Sequence, residues 1–123
     1  MERSSEKYVL TEKMDWEELG GGVSRKMLGY DNQIMMVLVN FEKGAVGSPH
    51  SHFHTQATYC VAGKFEFEID GVKQIVSGGD GVYIEPNLVH STVCLEAGKL
   101  IDTFSPVRED FLDGSGVSYF GKK

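Results

Sequence analysis

The sequence predicts a single all-β domain, a sandwich or barrel of short antiparallel strands. At least eight segments read as strands, either alternating in polarity or apolar throughout. The 15 glycines fall mostly between those segments, where turns need them. No stretch has the length and the 3.6-residue period of a substantial helix. A chain of 123 residues suits one domain with one core. No repeat, linker or second domain is visible. With 41% hydrophobic and 24% charged residues, the composition is that of a folded globular chain.

Residues 1–13 are expected to form a polar N-terminal arm, in which residues 8–10 can add a short strand. The domain proper is expected over residues 14–112. Residues 15–19 are too few for a helix, and Gly20, Gly21 and Gly22 then interrupt any regular element. Trp16 reads as an anchor in a core or an interface. Residues 23–30 and 33–41 read as strands around an Asp31-Asn32 turn. Ile34 to Val39 is apolar without a break, so this second strand is expected to be covered on both faces.

Gly44, Gly47 and Pro49 then predict a loop. Residues 56–61 and 64–69 are further strands, with Phe65, Phe67 and Ile69 inward. Asp70-Gly71 is a hairpin turn. Residues 72–76 return from it, and residues 81–84 stop before Pro86. Residues 91–95 and 99–104 are expected to be joined by a turn at Glu96, Ala97 and Gly98. Residues 108–112 can make one helical turn, and the Gly/Ser-rich tail of residues 113–123 is expected to be loose.

The net charge of -6 argues against a nucleic-acid or membrane-surface partner, both of which want a basic face. A small anionic substrate stays open where local cations outweigh the global field. Residues 1–7 are polar and mixed in charge, unlike a signal peptide, and the longest apolar run is too short to cross a bilayer. A cytoplasmic location is therefore expected, with Cys60 and Cys94 reduced and packed as small hydrophobes.

All four histidines fall in two short clusters. His50, His52 and His54 alternate, and Gln56 keeps their parity, so in an extended segment they share one face. Imidazoles beside an amide oxygen suit a metal ion of borderline softness. His90 follows far along the chain, after Pro86. In residues 99–104, Leu100, Asp102 and Phe104 share a face, which sets a carboxylate between apolar neighbours. Such a setting raises a carboxyl pKa and suits proton transfer. Arg108, just past Pro106, can reach the same opening and grip a carboxylate bidentately.

The spacing Gly44, five residues, His50, one residue, His52, three residues, Gln56, six residues, Gly63 resembles the first motif of the cupin superfamily, with glutamine where glutamate is usual. Pro86 and His90 resemble the second motif. The loop between them is one residue shorter than usual and lacks its glycine, and Cys94 stands where asparagine is usual. The resemblance implies a jelly-roll barrel, the double-stranded β-helix. It also implies one divalent ion (nickel, zinc, manganese or iron) held by His50, His52, Gln56 and His90. His54 would then support the site or its rim rather than ligate.

Three further segments narrow the likeness: residues 16–26, residues 41–47 and residues 100–112. They are similar to the pectin degradation proteins, the KdgF-type cupins, with Phe53 and Thr55 where relatives often carry proline and glutamate. The resemblance implies a metal-dependent enzyme that opens the ring of 4,5-unsaturated uronate monosaccharides, the small anionic sugars released by pectin and alginate lyases. Asp102, Phe104 and Arg108 would be its catalytic or substrate-binding residues. Cupins commonly dimerise, and a homodimer is expected. The alternatives are a cupin dioxygenase using iron or copper and a non-catalytic sugar-binding cupin.

Overall fold

The computed structural model describes residues 3–113. Its antiparallel strands are β1 (Glu17–Gly20), β2 (Val23–Tyr30), β3 (Met35–Phe41), β4 (Val46–His50), β5 (Thr55–Ile69), β6 (Val72–Ser77), β7 (Gly81–Ile84) and β8 (His90–Ser105). One 3-10 turn, Thr11–Lys13, precedes them, and one short helix, α1 (Glu109–Asp113), follows.

Two long strands, β5 and β8, organise the rest. The C-terminal half of β8 pairs with β3 and with the first half of β5. Its N-terminal half pairs with β4 and with the second half of β5. β2 and β1 widen the first leaf beyond β3, and β7 borders its other edge. β6 borders the second leaf. The leaves face each other across one core, where Phe41 of the first meets Phe65 of the second edge-on at 5.2 Å. Val37, Val39, Cys60, Cys94 and Leu100 fill the space around them.

The two long strands turn from one leaf to the other side by side, and glycine permits it. Gly63 has φ +94°, and a Cβ there would lie 2.7 Å from the Glu96 carbonyl oxygen and from Gly98 Cα. A Cβ on Gly98 would collide with the Ala62 carbonyl. Hence the expected pairs of strands, 56–61 with 64–69 and 91–95 with 99–104, are each one bent strand. Lys64 pairs with Glu96 and Ala62 with Lys99 straight through the expected turn.

Other expectations shift for equally local reasons. Residues 8–10 are not a strand; the arm is instead held to β2, where Ser5 N–H donates to the Tyr30 carbonyl at 2.9 Å. Gly20, Gly21 and Gly22, all with φ between +64° and +88°, do not end structure but turn the β1–β2 hairpin. The residues after Gly44 form β4 rather than a loop. Trp16 is half-buried beneath the Lys26 ammonium, 4.5 Å from its ring centroid. The 34–39 run is covered on one face only: Met35, Val37 and Val39 are fully buried, while Met36 is 39% exposed. Asp70 (φ 50°) and Gly71 (φ 84°) make the predicted hairpin turn. The expected loose tail lies outside the described residues. Among the described residues, no helix is long and apolar enough to cross a membrane.

The bend supplies a test. Gly63→Ala forces a side chain into backbone at a left-handed φ, so it lowers unfolding free energy by at least about 1 kcal/mol in chemical denaturation. An unchanged midpoint contradicts this account of the bend.

Candidate metal centre

The histidines gather where strand ends meet. His50 closes β4 opposite His90, the first residue of β8. His52 lies in the connection that follows β4, and Gln56 is the second residue of β5. The two connections are tied together, since Asn87 N–H donates to the His52 carbonyl at 2.8 Å. The ring centroid of His90 lies 4.3 Å from that of His50 and 5.0 Å from that of His52. One ring nitrogen from each of the three lies within 4.8 Å of the others.

Backbone carbonyls set the tautomer of all three rings. His50 Nδ1–H donates to Ser48 O at 2.7 Å, His52 Nδ1–H to His54 O at 3.1 Å, and His90 Nδ1–H to Leu88 O at 2.9 Å. Each bond leaves the lone pair on Nε2. Burial pushes the pKa of His52 and of His90 down to about 4, and it lowers that of His50. The Arg108 charge adds to the depression at all three. At neutral pH the rings are uncharged, the form that ligates metals. His90 Nε2 is buried without a hydrogen-bond partner.

Gln56 carries the strongest sign of a cation. Its amide nitrogen donates to Thr58 Oγ1 at 2.9 Å and reaches Asp102 Oδ1 at 3.4 Å. The amide oxygen is thereby turned toward His52, 3.0 Å from Nε2. Two lone pairs so close repel, whereas a cation between them is ligated by both. Three neutral imidazoles and an amide oxygen fit a borderline divalent ion. A cavity of about 30 Å³ adjoins them, lined by His50, Gln56, His90, Thr92, Leu100 and Asp102. It has room for a water or an ion.

Asp102 is buried on β8 directly opposite Thr58 of β5. Its Oδ1 accepts the Thr58 hydroxyl at 2.7 Å. A chain of hydrogen bonds thus runs from the amide beside the histidines to the carboxylate. Phe104, 1% exposed, presents its ring edge-on to His52 at 5.6 Å. Arg108 is neither a solvated surface arginine nor an unengaged carboxylate clamp. It is 8% exposed, 5.1 Å from the Phe104 centroid and 4.2 Å from that of Phe111. Its Nε and Nη2 donate to Asp110 at 3.0 and 2.8 Å, which leaves Nη1 outside the pair. Burial alone would raise the Asp110 pKa, but the bond and charge of Arg108 outweigh it and hold the carboxyl below its usual range.

Sequence reasoning missed Asp110 and several further residues here. Thr58 shares the parity of Gln56, a signal that was available. Phe111 of α1 packs edge-on against Phe104 at 5.5 Å and is flanked by a second buried guanidinium, Arg25, 4.3 Å from its centroid. Arg25 is paired with Glu17 at 2.9 Å. No pattern in the sequence brings β1, β2 and α1 together. His54 is buried but lies outside the three-histidine group. Burial, then Arg108, lowers its pKa, and Phe53 stacks on its ring at 4.0 Å.

The departures from the cupin motifs prove compatible with the site. Asn87 takes φ 71°, the left-handed conformation that glycine favours and asparagine tolerates. Cys94 contributes a small buried side chain and backbone bonds to Gly44 and Ala45. Phe53 and Thr55 are exposed, and neither belongs to the histidine group.

A cupin domain model matches residues 37–104. The chain is 47% identical over 108 residues to the pectin degradation protein KdgF of Dickeya dadantii (strain 3937), covering 86% of this chain and 98% of that one. The chain belongs to the KdgF-type cupins. Solved structures agree with that membership. KdgF from Halomonas sp. superposes with a TM-score of 0.83 at 37% identity, over 87% of this cupin and 99% of that chain. An RmlC-like cupin from Shewanella frigidimarina NCIMB 400 gives 0.86 at 44% identity, over 88% and 97%.

Adding a divalent metal to chelated protein should raise the thermal midpoint, by mass action on the folded state. His90→Ala should abolish that rise, and an undiminished rise sinks the assignment. Asn87→Gly should keep metal affinity, whereas Asn87→Val should weaken it about tenfold or more by displacing the loop that orients His52. Equal affinities would show that the φ of Asn87 is irrelevant to the site.

Proposed function

We propose that this cupin opens the ring of 4,5-unsaturated uronate monosaccharides, giving the linear keto-deoxyuronate, with one divalent ion held by His50, His52, Gln56 and His90. The observation that carries the reading is the buried Asp102 carboxylate, joined through Thr58 to the amide of the ligand set. The 47% identity to a protein named for pectin degradation supports a pectin-derived sugar. A cytoplasmic homodimer acting on the products of lyases completes the reading.

The substrate is a cyclic hemiacetal whose ring oxygen is attached to C5 of a C4=C5 double bond. Asp102 takes the proton of the anomeric hydroxyl. The bond from C1 to the ring oxygen breaks as the C1 carbonyl forms, and the ring oxygen departs as an enolate. Protonation of C4 from Asp102 then yields the C5 ketone, so the reaction is an isomerisation with no other reactant. Thr58 orients the carboxylate by donating to Oδ1. Arg108 offers Nη1 to the sugar carboxylate while Asp110 holds its other edge. Phe104 excludes water and packs between that guanidinium and His52. When bound, the ion supplies positive charge that stabilises the developing oxyanion.

The ultraviolet absorbance of the conjugated monomer should decay faster with the protein present, and a chelator should stop it. Asp102→Ala should cut turnover by ~10²–10⁴ with metal content unchanged. Loss of metal along with activity means that Asp102 is structural. Oxygen consumption during turnover would point to a dioxygenase instead.

A further inference from the structure

We propose that Arg25, on β2, is a positioning residue for Arg108: through the ring of Phe111 it fixes the guanidinium that would grip the sugar carboxylate. The inference rests on the ring-opening reading for what Arg108 grips, but not for how Arg108 is held.

Strand register sets Arg25 in an inward row. It lies opposite Glu17 of β1 and Val39 of β3, and the row continues through Leu100 of β8 to Cys60 of β5. Val39, Leu100 and Cys60 are each no more than 2% exposed, and Arg25 beside them is 7% exposed. A guanidinium so placed gives up most of its hydration. Glu17 offsets part of that loss at 2.9 Å, from a side chain that is itself 57% exposed. An apolar side chain of similar length would suit such a row at equal or lower cost. Stability alone therefore does not account for an arginine at this position.

The ring that the charge reaches does account for it. Arg25 Cζ lies 4.3 Å from the centroid of Phe111, and Arg108 Cζ lies 4.2 Å from the same centroid. One ring thus meets two guanidiniums, each braced by its own carboxylate: Glu17 for Arg25 and Asp110 for Arg108. Phe111 also meets Phe104 edge-on at 5.5 Å, and Phe104 is the second ring against Arg108, 5.1 Å from Cζ.

Phe111 needs an anchor. It sits in α1, a helix of five residues, too short to hold itself. Its N–H donates to the Arg108 carbonyl at 3.0 Å, so the two residues form one turn and move as one. Arg108 belongs to that same segment and cannot anchor it. Arg25 and Phe104, both on the sheet, can. A cation–π contact from β2 therefore sets where Arg108 lies without touching the substrate.

Kinetics and nuclear magnetic resonance together test the proposal. In Arg25→Met, KM for the unsaturated uronate should rise about tenfold, the scale of one cation–π contact, while kcat stays within about twofold. Arg25→Lys, which keeps a cation, should recover part of the loss. Phe111→Leu should raise KM likewise, and the double variant should be no worse than the poorer single one, because both changes break one path. The Arg108 Nε–H, which donates to Asp110, reads the positioning with no substrate present. Assigned by its disappearance in Arg108→Lys, its hydrogen exchange should quicken about tenfold in Arg25→Met. Phe111→Leu carries the same measurement should Arg25→Met fail to fold. Unchanged exchange in either folded variant overturns the proposal, and so does lowered stability with KM and exchange intact, or a fully additive double variant. Absence of turnover in the wild type counts against the ring-opening reading alone, and the exchange measurement still decides the role of Arg25.

Discussion

Three imidazole N–H groups each donate to a backbone carbonyl, and this constraint determines what the site can be. Because Ser48, His54 and Leu88 supply those carbonyls, the tautomer is fixed by the backbone and not by any ligand. The Nε2 lone pairs are left over, gathered in one place and kept unprotonated by burial. The Gln56 oxygen then faces one of them with no proton available between the two. A chain that buried this many acceptors without a cation would forfeit their hydration for nothing.

Charge in the site follows from Gln56. Glutamate at that position would cancel one unit of a divalent ion's charge, whereas the amide leaves it whole. The remaining carboxylate, Asp102, stands one hydroxyl away instead, held through Thr58. An acidic group is thus placed close to where an ion would be held without being spent on ligation. Arg108 lies against the rings of Phe104 and Phe111 and is braced by Asp110, so the guanidinium is preorganised for any carboxylate that reaches it.

Much of this was legible in the sequence because it depends on local periodicity. His50, His52 and Gln56 do converge, but the chain leaves the strand between β4 and β5, and His54, of the same parity, lies outside the group; the spacing to Gly63 marks the bend. The inward alternation of Phe65 and Phe67 is likewise a property of any pleated strand. What could not be read depends on long-range register. Asp102 facing Thr58 requires β8 to lie on β5 with no slip, and Arg25 reaching Phe111 requires β2 and α1 to meet. The turn expected at Glu96 to Gly98 failed because glycines mark both a turn and a bend, and only the partner strand decides which. The 34–39 run shows the reverse case: its pattern calls for two covered faces, and a single chain supplies one.

Convergence of His50, His52, Gln56 and His90 on one ion is the claim from which the chemistry descends. X-ray absorption at the metal edge of the purified protein tests it most directly. The account predicts a nitrogen and oxygen shell with the outer scattering of three imidazole rings. A first shell containing sulfur, or one or no imidazole, would contradict it.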